Sequence, residues 1–115
     1  MARYAPRKGD FIAVTLDPQS GHEQRGRRPA LVVSNDLFNK HTGLCMACPI
    51  TNTRRDYPFH VNIPEGGKVT GYVMVEQIKS LDFNARKAKR IGPAPRAVLD
   101  EALSILDACI WGRGE

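Results

Sequence analysis

Over the first two-thirds of this chain, hydrophobic side chains recur at every second position in short runs, the period of strands with one packed face and one wet face. In residues 10–16, Ile12, Val14 and Leu16 share a face, and the turn-forming pair Asp17-Pro18 closes the run. Residues 19–27 hold no large apolar side chain, and a polar loop of that length in a small fold is a candidate for function. Residues 30–34 are a short apolar run with adjacent Val32 and Val33, which suits a strand covered on both faces. Asn35 and Asp36 are suited to capping a short helical turn through Lys40. Residues 44–50 predict a third strand ending at Thr51, followed by a second polar loop, 52–56, that carries Arg54 and Arg55. Phe59, Val61 and Ile63 alternate with His60 and Asn62, which predicts a fourth strand. Gly66-Gly67 centres a hairpin turn over 65–68 leading into a strand over 69–75. Beyond it, Ile78, Leu81 and Phe83 keep 77–83 apolar, and 86–91 reads as a basic edge strand.

Only the end changes period. Val98, Leu99, Ala102, Leu103, Ile105, Leu106, Cys109 and Ile110 fall at three- and four-residue spacing, with Pro95 suited to the first turn and Gly112 to the stop. Five or six short strands followed by one amphipathic helix predict a mainly β fold, a small and strongly bent antiparallel barrel with the helix packed on one side. At 115 residues, without repeats, low-complexity stretches or a linker, the expectation is a single domain spanning 1–115.

Composition narrows the partners. Lys plus Arg number 17 against 12 Asp plus Glu, a formal charge of +5, which favours a polyanion or an acidic protein as partner. No run approaches the roughly 20 apolar residues of a membrane span, and the basic start, residues 1–9, lacks the apolar stretch of a signal peptide, so a cytoplasmic protein is expected. Three cysteines are an odd number, unlike a secreted disulfide framework. Cys45 and Cys48, three apart on a predicted strand, point to opposite faces and are read as core-filling thiols. The three histidines, His22, His41 and His60, are far apart, and no His or Asp/Glu set has ligand spacing, so neither metal nor other cofactor is expected.

The first polar loop holds the densest chemistry: Gly21-His22-Glu23-Gln24-Arg25-Gly26-Arg27-Arg28-Pro29 packs a carboxylate, a histidine and three arginines beside two glycines. A solvated hairpin tip is the plain alternative. Pro29 stiffens the chain just before a buried strand, which sets Arg28 on the rim of the scaffold.

This loop resembles that of the MazF/PemK toxins, which reads G-x-E-Q-x-G-x-R-P before a valine-rich strand; Gly21, Glu23, Gln24, Gly26, Arg28 and Pro29 match every fixed position, with Leu31, Val32 and Val33 following. The likeness extends through Gly9-Asp10, Asp17-Pro18, residues 39–43, Cys48-Pro49 to Thr51, Tyr57-Pro58-Phe59, Glu76-Gln77 and Lys79-Ser80. It implies an SH3-like barrel of the kind shared by MazF, Kid and CcdB. It also implies a homodimeric toxin of a type II toxin-antitoxin system that cuts single-stranded RNA at specific sites, held inactive by an acidic MazE-like antitoxin.

In that family the catalytic pair is the arginine of R-P and a threonine closing the third strand, which fall on Arg28 and Thr51. Their chemistry suits the task, since negative charge building on phosphate oxygens must meet preplaced donors. Arg28 offers a planar, permanently charged fork and Thr51 a small hydroxyl. The family assigns the arginine proton transfer as well as electrostatic work, although a normal guanidinium is a poor base. Glu23 is the third catalytic candidate, either accepting a proton or orienting the guanidinium, of which orientation is favoured. His22 stands where the family pattern is free. The PemK branch uses an acidic residue at the position of Glu76 and an arginine where this chain has Met74, which places the chain with the MazF branch. Cleavage without a metal leaves a 2′,3′-cyclic phosphate or 3′-phosphate and a 5′-hydroxyl.

For RNA binding, Arg25, Arg27, Arg54, Arg55 and Lys79 are candidates for phosphate contact, with Gln24, Glu76 and Gln77 beside them and Tyr57 or Phe59 for stacking on an unpaired base. Phe59 shares a face with Val61 and Ile63, which favours a core position. Two other readings compete: a gyrase-binding poison resembling the CcdB toxins, suggested by Trp111-Gly112, and a non-catalytic RNA-binding barrel.

Overall fold

The fold was analysed in a computed structural model, which describes residues 4–16 and 26–112. Among these residues, seven strands and two helices follow in the order β1 Asp10–Thr15, β2 Arg27–Val32, α1 Asp36–Thr42, β3 Leu44–Thr51, β4 His60–Ile63, β5 Gly71–Met74, β6 Lys79–Asp82, β7 Lys89–Pro93 and α2 Arg96–Trp111, with a 3-10 turn, Val75–Gln77, between β5 and β6. The strands form one antiparallel sheet in the order β4-β5-β3-β2-β1-β7, with β6 pairing β3 off that path.

β3 is the spine of the curl. One edge pairs with β2; the other pairs with β6 through Leu44, Cys45, Met46 and Ala47, and with β5 through Ile50 and Thr51. Two strands can share one edge because the chain leaves the β3 ladder after β5, makes the 3-10 turn and rejoins it nearer the start of β3. The sheet bends there into a half-barrel, with α2 packed against one face.

Strand alternation divides the core into two clusters. Phe11, Leu31, Val33, Cys48, Ile50, Val61 and Val73 pack with Val98 and Ala102 of α2, whereas Ile12, Val14, Ala30, Val32, Cys45 and Ala47 pack with Leu81 and Phe83. Val32 and Val33 therefore face opposite ways, as expected of a strand covered on both sides, and so do Cys45 and Cys48. Burial pushes the Cys45 thiol up to about 11 and the Cys48 thiol up to about 12, the latter helped by the nearby Glu76 carboxylate. Each fully buried branched side chain in these clusters contributes about 1.5–3 kcal/mol of transfer free energy.

Local signals explain most boundaries. Asn35 caps α1 by accepting a hydrogen bond from the Phe38 N–H at 2.8 Å, and Gly43, in the left-handed region at φ 73°, ends that helix. β2 begins at Arg27, so Arg27, Arg28 and Pro29 belong to the sheet rather than to the loop before it. The edge strand predicted over 86–91 lies instead at Lys89–Pro93. Asp82 decides this, accepting hydrogen bonds from the Ala85 N–H on Oδ1 and from the Arg86 N–H on its carbonyl, which winds 83–87 into a turn. Phe59 is half-buried, its ring edge-on to Tyr57 at 5.3 Å. Among the described residues no helix is long and apolar enough to cross a membrane.

Candidate active site

The site starts from a register. β2 and β3 pair Ala30 with Pro49, Leu31 with Cys48 and Val32 with Ala47; carried two residues outward, the same register sets Arg28 opposite Thr51. Both stand on the sheet face that carries Ala30 and Val32, beyond the point where the core ends. They line one hollow of about 340 Å³ together with Pro49, Met74, Gln77 and Lys79. The 3-10 turn is what delivers Gln77 to this wall, and β6 begins with Lys79 directly after it.

Arg28 is exposed, and none of the described residues holds its guanidinium. The two ends of the preceding loop are pinned together, since the Leu16 N–H donates to the Gly26 carbonyl at 3.0 Å. The fork therefore projects from a fixed strand rather than from a loop tip. Thr51 is the last residue of β3 and half-buried. Its Oγ1 accepts a hydrogen bond from the Thr53 N–H at 3.1 Å, which leaves the hydroxyl proton free to be donated into the hollow.

Behind Thr51 lies a residue that sequence reasoning did not single out. Gly71 has φ +115°, and a Cβ there would collide with the Thr51 carbonyl oxygen and stand 2.9 Å from Asn52 Oδ1. Only glycine lets the start of β5 approach the end of β3 so closely. The available signal was a lone glycine inside an apolar strand pattern.

The other predicted residues separate into groups. Arg27 points away from Arg28 and is committed to the scaffold: its Nη1 donates to the carbonyls of Arg86 at 3.2 Å and Lys87 at 2.7 Å, and its Nη2 to that of Ala13 at 3.1 Å. Arg54, Arg55 and Tyr57 line a second hollow of about 350 Å³, with His60, Asn62 and Tyr72. Glu76 shares the 3-10 turn with Gln77 but lines neither hollow, and its carboxylate meets His60 Nε2 at 3.2 Å. His22, Glu23, Gln24 and Arg25 lie outside the described residues.

A larger hollow, about 700 Å³, lies elsewhere, by Arg7, Asp10, Asp36 and Arg90. Both its arginines are already paired, Arg7 with Asp36 at 3.2 Å and Arg90 with Asp10 at 3.1 Å, and those two carboxylates line the hollow, so size there does not signal an anion site. The Arg28 hollow is smaller, yet it holds two cations, a hydroxyl and an amide, and no carboxylate among its described lining. That is the composition of a phosphate site. Among the described residues, no group of three or more His, Cys, Asp or Glu is arranged to hold a metal ion.

A curled antiparallel half-barrel with one C-terminal helix against it is the fold of the solved MazF toxins. The chain belongs to the PemK-like, MazF-like toxins of type II toxin-antitoxin systems, whose family model matches residues 7–110. It is 38% identical over 110 residues to the endoribonuclease toxin MazF of Escherichia coli K12, covering 96% of this chain and 95% of that one. To the endoribonuclease toxin ChpB of the same strain it is 45% identical over 108 residues, covering 90% and 92%. Among solved structures it is similar to MazF from Deinococcus radiodurans, with a TM-score of 0.85 and 40% identity over 95% of this chain and 99% of that one. A MazE-MazF complex from the same organism matches with a TM-score of 0.83 and 35% identity over 94% and 97%.

Proposed function

We propose that this protein is the toxin of a type II toxin-antitoxin pair and a metal-independent, sequence-specific endoribonuclease acting on single-stranded RNA. The observation that carries the reading is the shared hollow of Arg28 and Thr51, flanked by Lys79 and Gln77 and backed by a rigid sheet. In the reaction a 2′-hydroxyl attacks the adjacent phosphorus and the 5′-oxygen leaves, giving a 2′,3′-cyclic phosphate and a 5′-hydroxyl. Charge gathers on the non-bridging oxygens as the phosphorus becomes five-coordinate. Arg28 meets it with two parallel N–H donors and Thr51 with an O–H donor, both in place before the reaction starts. Lys79 neutralises a neighbouring phosphate, and Glu23 orients the Arg28 fork.

The working unit is a homodimer in the cytoplasm, in which two barrels side by side lengthen a basic trough that one barrel offers only in part. Its inhibitor is an acidic MazE-like antitoxin whose segment covers Arg28; the structural likeness to a MazE-MazF complex supports this partner. The test is incubation of purified protein with a long single-stranded RNA in excess EDTA. Discrete fragments with free 5′-hydroxyls are expected, and RNA left intact under those conditions overturns the assignment.

A further inference from the structure

Arg28 lines two hollows. The first, shared with Thr51, Gln77 and Lys79, is the candidate active site. The other, of about 280 Å³, holds Asn52, Lys68 and Thr70 above an apolar floor of Ala13, Pro29 and Val69. The two meet at the strand ends: Thr51, the last residue of β3, lines the first, and Asn52, the next residue, lines the other. A chain passing over Arg28 therefore leaves one hollow and enters the next.

Charge separates this pair from the other arginine-lined hollows. Asp10 and Asp36 stand beside Arg7 and Arg90, and Asp56 stands beside Arg54 and Arg55, whereas the two hollows that share Arg28 have no carboxylate among their described lining. Arg27 reaches the second wall too, but backbone carbonyls take up its terminal nitrogens. Lys68 is different. Its Nζ donates one N–H to the Ile91 carbonyl at 3.4 Å, a long bond that steadies the ammonium and leaves two donors. Asn52 adds a neutral donor: Thr70 Oγ1 donates to its Oδ1 at 3.4 Å, and no described residue accepts from its Nδ2. Gly71 gives that amide its place, since a Cβ there would stand 2.9 Å from Asn52 Oδ1.

We infer that this hollow is a subsite for a phosphodiester group next to the scissile one, held by the Lys68 ammonium and the Asn52 amide, so that the RNA backbone runs over Arg28 toward Lys68. The inference rests on the endoribonuclease reading. The phosphate is distinct from the one that Lys79 meets, because Lys79 does not line this hollow. The apolar floor keeps water from one side of the ammonium and strengthens its pull on an anion. Such a contact carries no base information; it sets the register of the strand and holds the scissile phosphorus against Arg28 and Thr51.

Lys68→Gln tests this. It is expected to raise KM for RNA about tenfold on every sequence alike, and to lower the slope of log affinity against log salt by about 0.7, the share of one contact to a single strand. Lys68→Arg should recover most of the loss. Lys68 is exposed and its one bond is long, so Tm should stay near wild type. Substrates carrying one neutral methylphosphonate, on either side of the cut in turn, locate the contact. At one of the two positions the change should raise KM about tenfold for wild type and hardly at all for Lys68→Gln, because both remove the same ion pair. Losses that multiply at both positions overturn the inference, as does a wild-type KM in Lys68→Gln. A variant whose only loss is affinity for the acidic antitoxin overturns it too, and gives the hollow to the protein partner.

A second measurement separates failure of the subsite from failure of the nuclease reading. A single-stranded 2′-deoxy oligonucleotide, uncleavable for want of a 2′-hydroxyl, is expected to bind Lys68→Gln about tenfold more weakly than wild type and with the smaller salt slope. Equal affinity and equal slope refute the subsite whether or not the protein cuts RNA. A weaker, less salt-sensitive variant with no cleavage of RNA by wild type keeps the subsite and removes the nuclease.

Discussion

Arg27 and Arg28 are neighbours with the same side chain and opposite fates. Arg27 reaches across to the turn at 83–87 and to β1, where backbone carbonyls take up its terminal nitrogens. Arg28, one residue on, is exposed at the mouth of the hollow that holds Thr51. Strand alternation is the whole cause of the division, since a pleated backbone must send adjacent side chains to opposite faces. Positive charge therefore does not mark a phosphate contact; donors that no described residue occupies, beside a second donor, do. The same test rejects the large hollow near Arg7 and Arg90, whose arginines already have carboxylate partners.

The most severe way to break this comparison is Arg28→Ala. It is expected to lower kcat/KM for RNA by about 10³-fold or more, because a preplaced cation at a developing phosphate charge is among the largest single contributions to such reactions. Thermal unfolding should stay close to wild type, as no described contact of the scaffold is lost. Arg28→Lys is expected to recover only a small part, since a point charge lacks the fork. Wild-type rates in Arg28→Ala would show that the cleft has been misassigned. Thr51→Val comes next, with kcat expected to fall about 10²-fold, the cost of one donor to a developing oxyanion. Equal kcat for the two would mean that the Thr51 hydroxyl takes no part.

Gly71→Ala acts at one remove. Its Cβ would press on the Thr51 carbonyl while the backbone holds φ +115°, so destabilisation of about 1–3 kcal/mol is expected together with misplacement of the hydroxyl. Activity per folded molecule should drop roughly tenfold, and the drop should vanish when Thr51 is already Val. A loss of activity that persists at full size in the Thr51→Val background would show that Gly71 serves something other than Thr51.

The strands were legible because apolar positions alternate, and the two faces of 30–34 were legible because two valines are adjacent. Arg28 and Thr51 were legible as a pair through the loop pattern and its family resemblance, and the β2–β3 register then supplied the reason they meet. What could not be read depends on partners distant in the chain. The task of Arg27 is set by carbonyls about sixty residues away, in a turn that Asp82 dictates. The tie between His60 and Glu76 joins residues sixteen apart across a strand pair and a 3-10 turn, with no local pattern to announce it. The position of β7 was missed because 86–90 is basic without alternating, so periodicity was silent and a side-chain-capped turn decided the boundary.

The smallest effect on chemistry is expected from Arg27→Ala, and it sharpens the contrast most. The guanidinium bridges β1 and the turn at 83–87 through charged hydrogen bonds to carbonyls, each contributing about 1.5–3 kcal/mol before solvent screening. Arg27 is only partly buried, so a loss of about 2 kcal/mol on truncation is the discounted expectation, or roughly 10 °C in Tm for a fold of this size. Below that lowered Tm, kcat on short RNA should remain within about twofold of wild type, because no donor is removed from the hollow shared by Arg28 and Thr51. The two measurements form a crossed pair: Arg28→Ala removes activity and keeps stability, Arg27→Ala removes stability and keeps activity. If Arg27→Ala instead kept its Tm and lost affinity for RNA in proportion to added salt, Arg27 would be a phosphate contact after all, and pleating would not be what separates the two arginines.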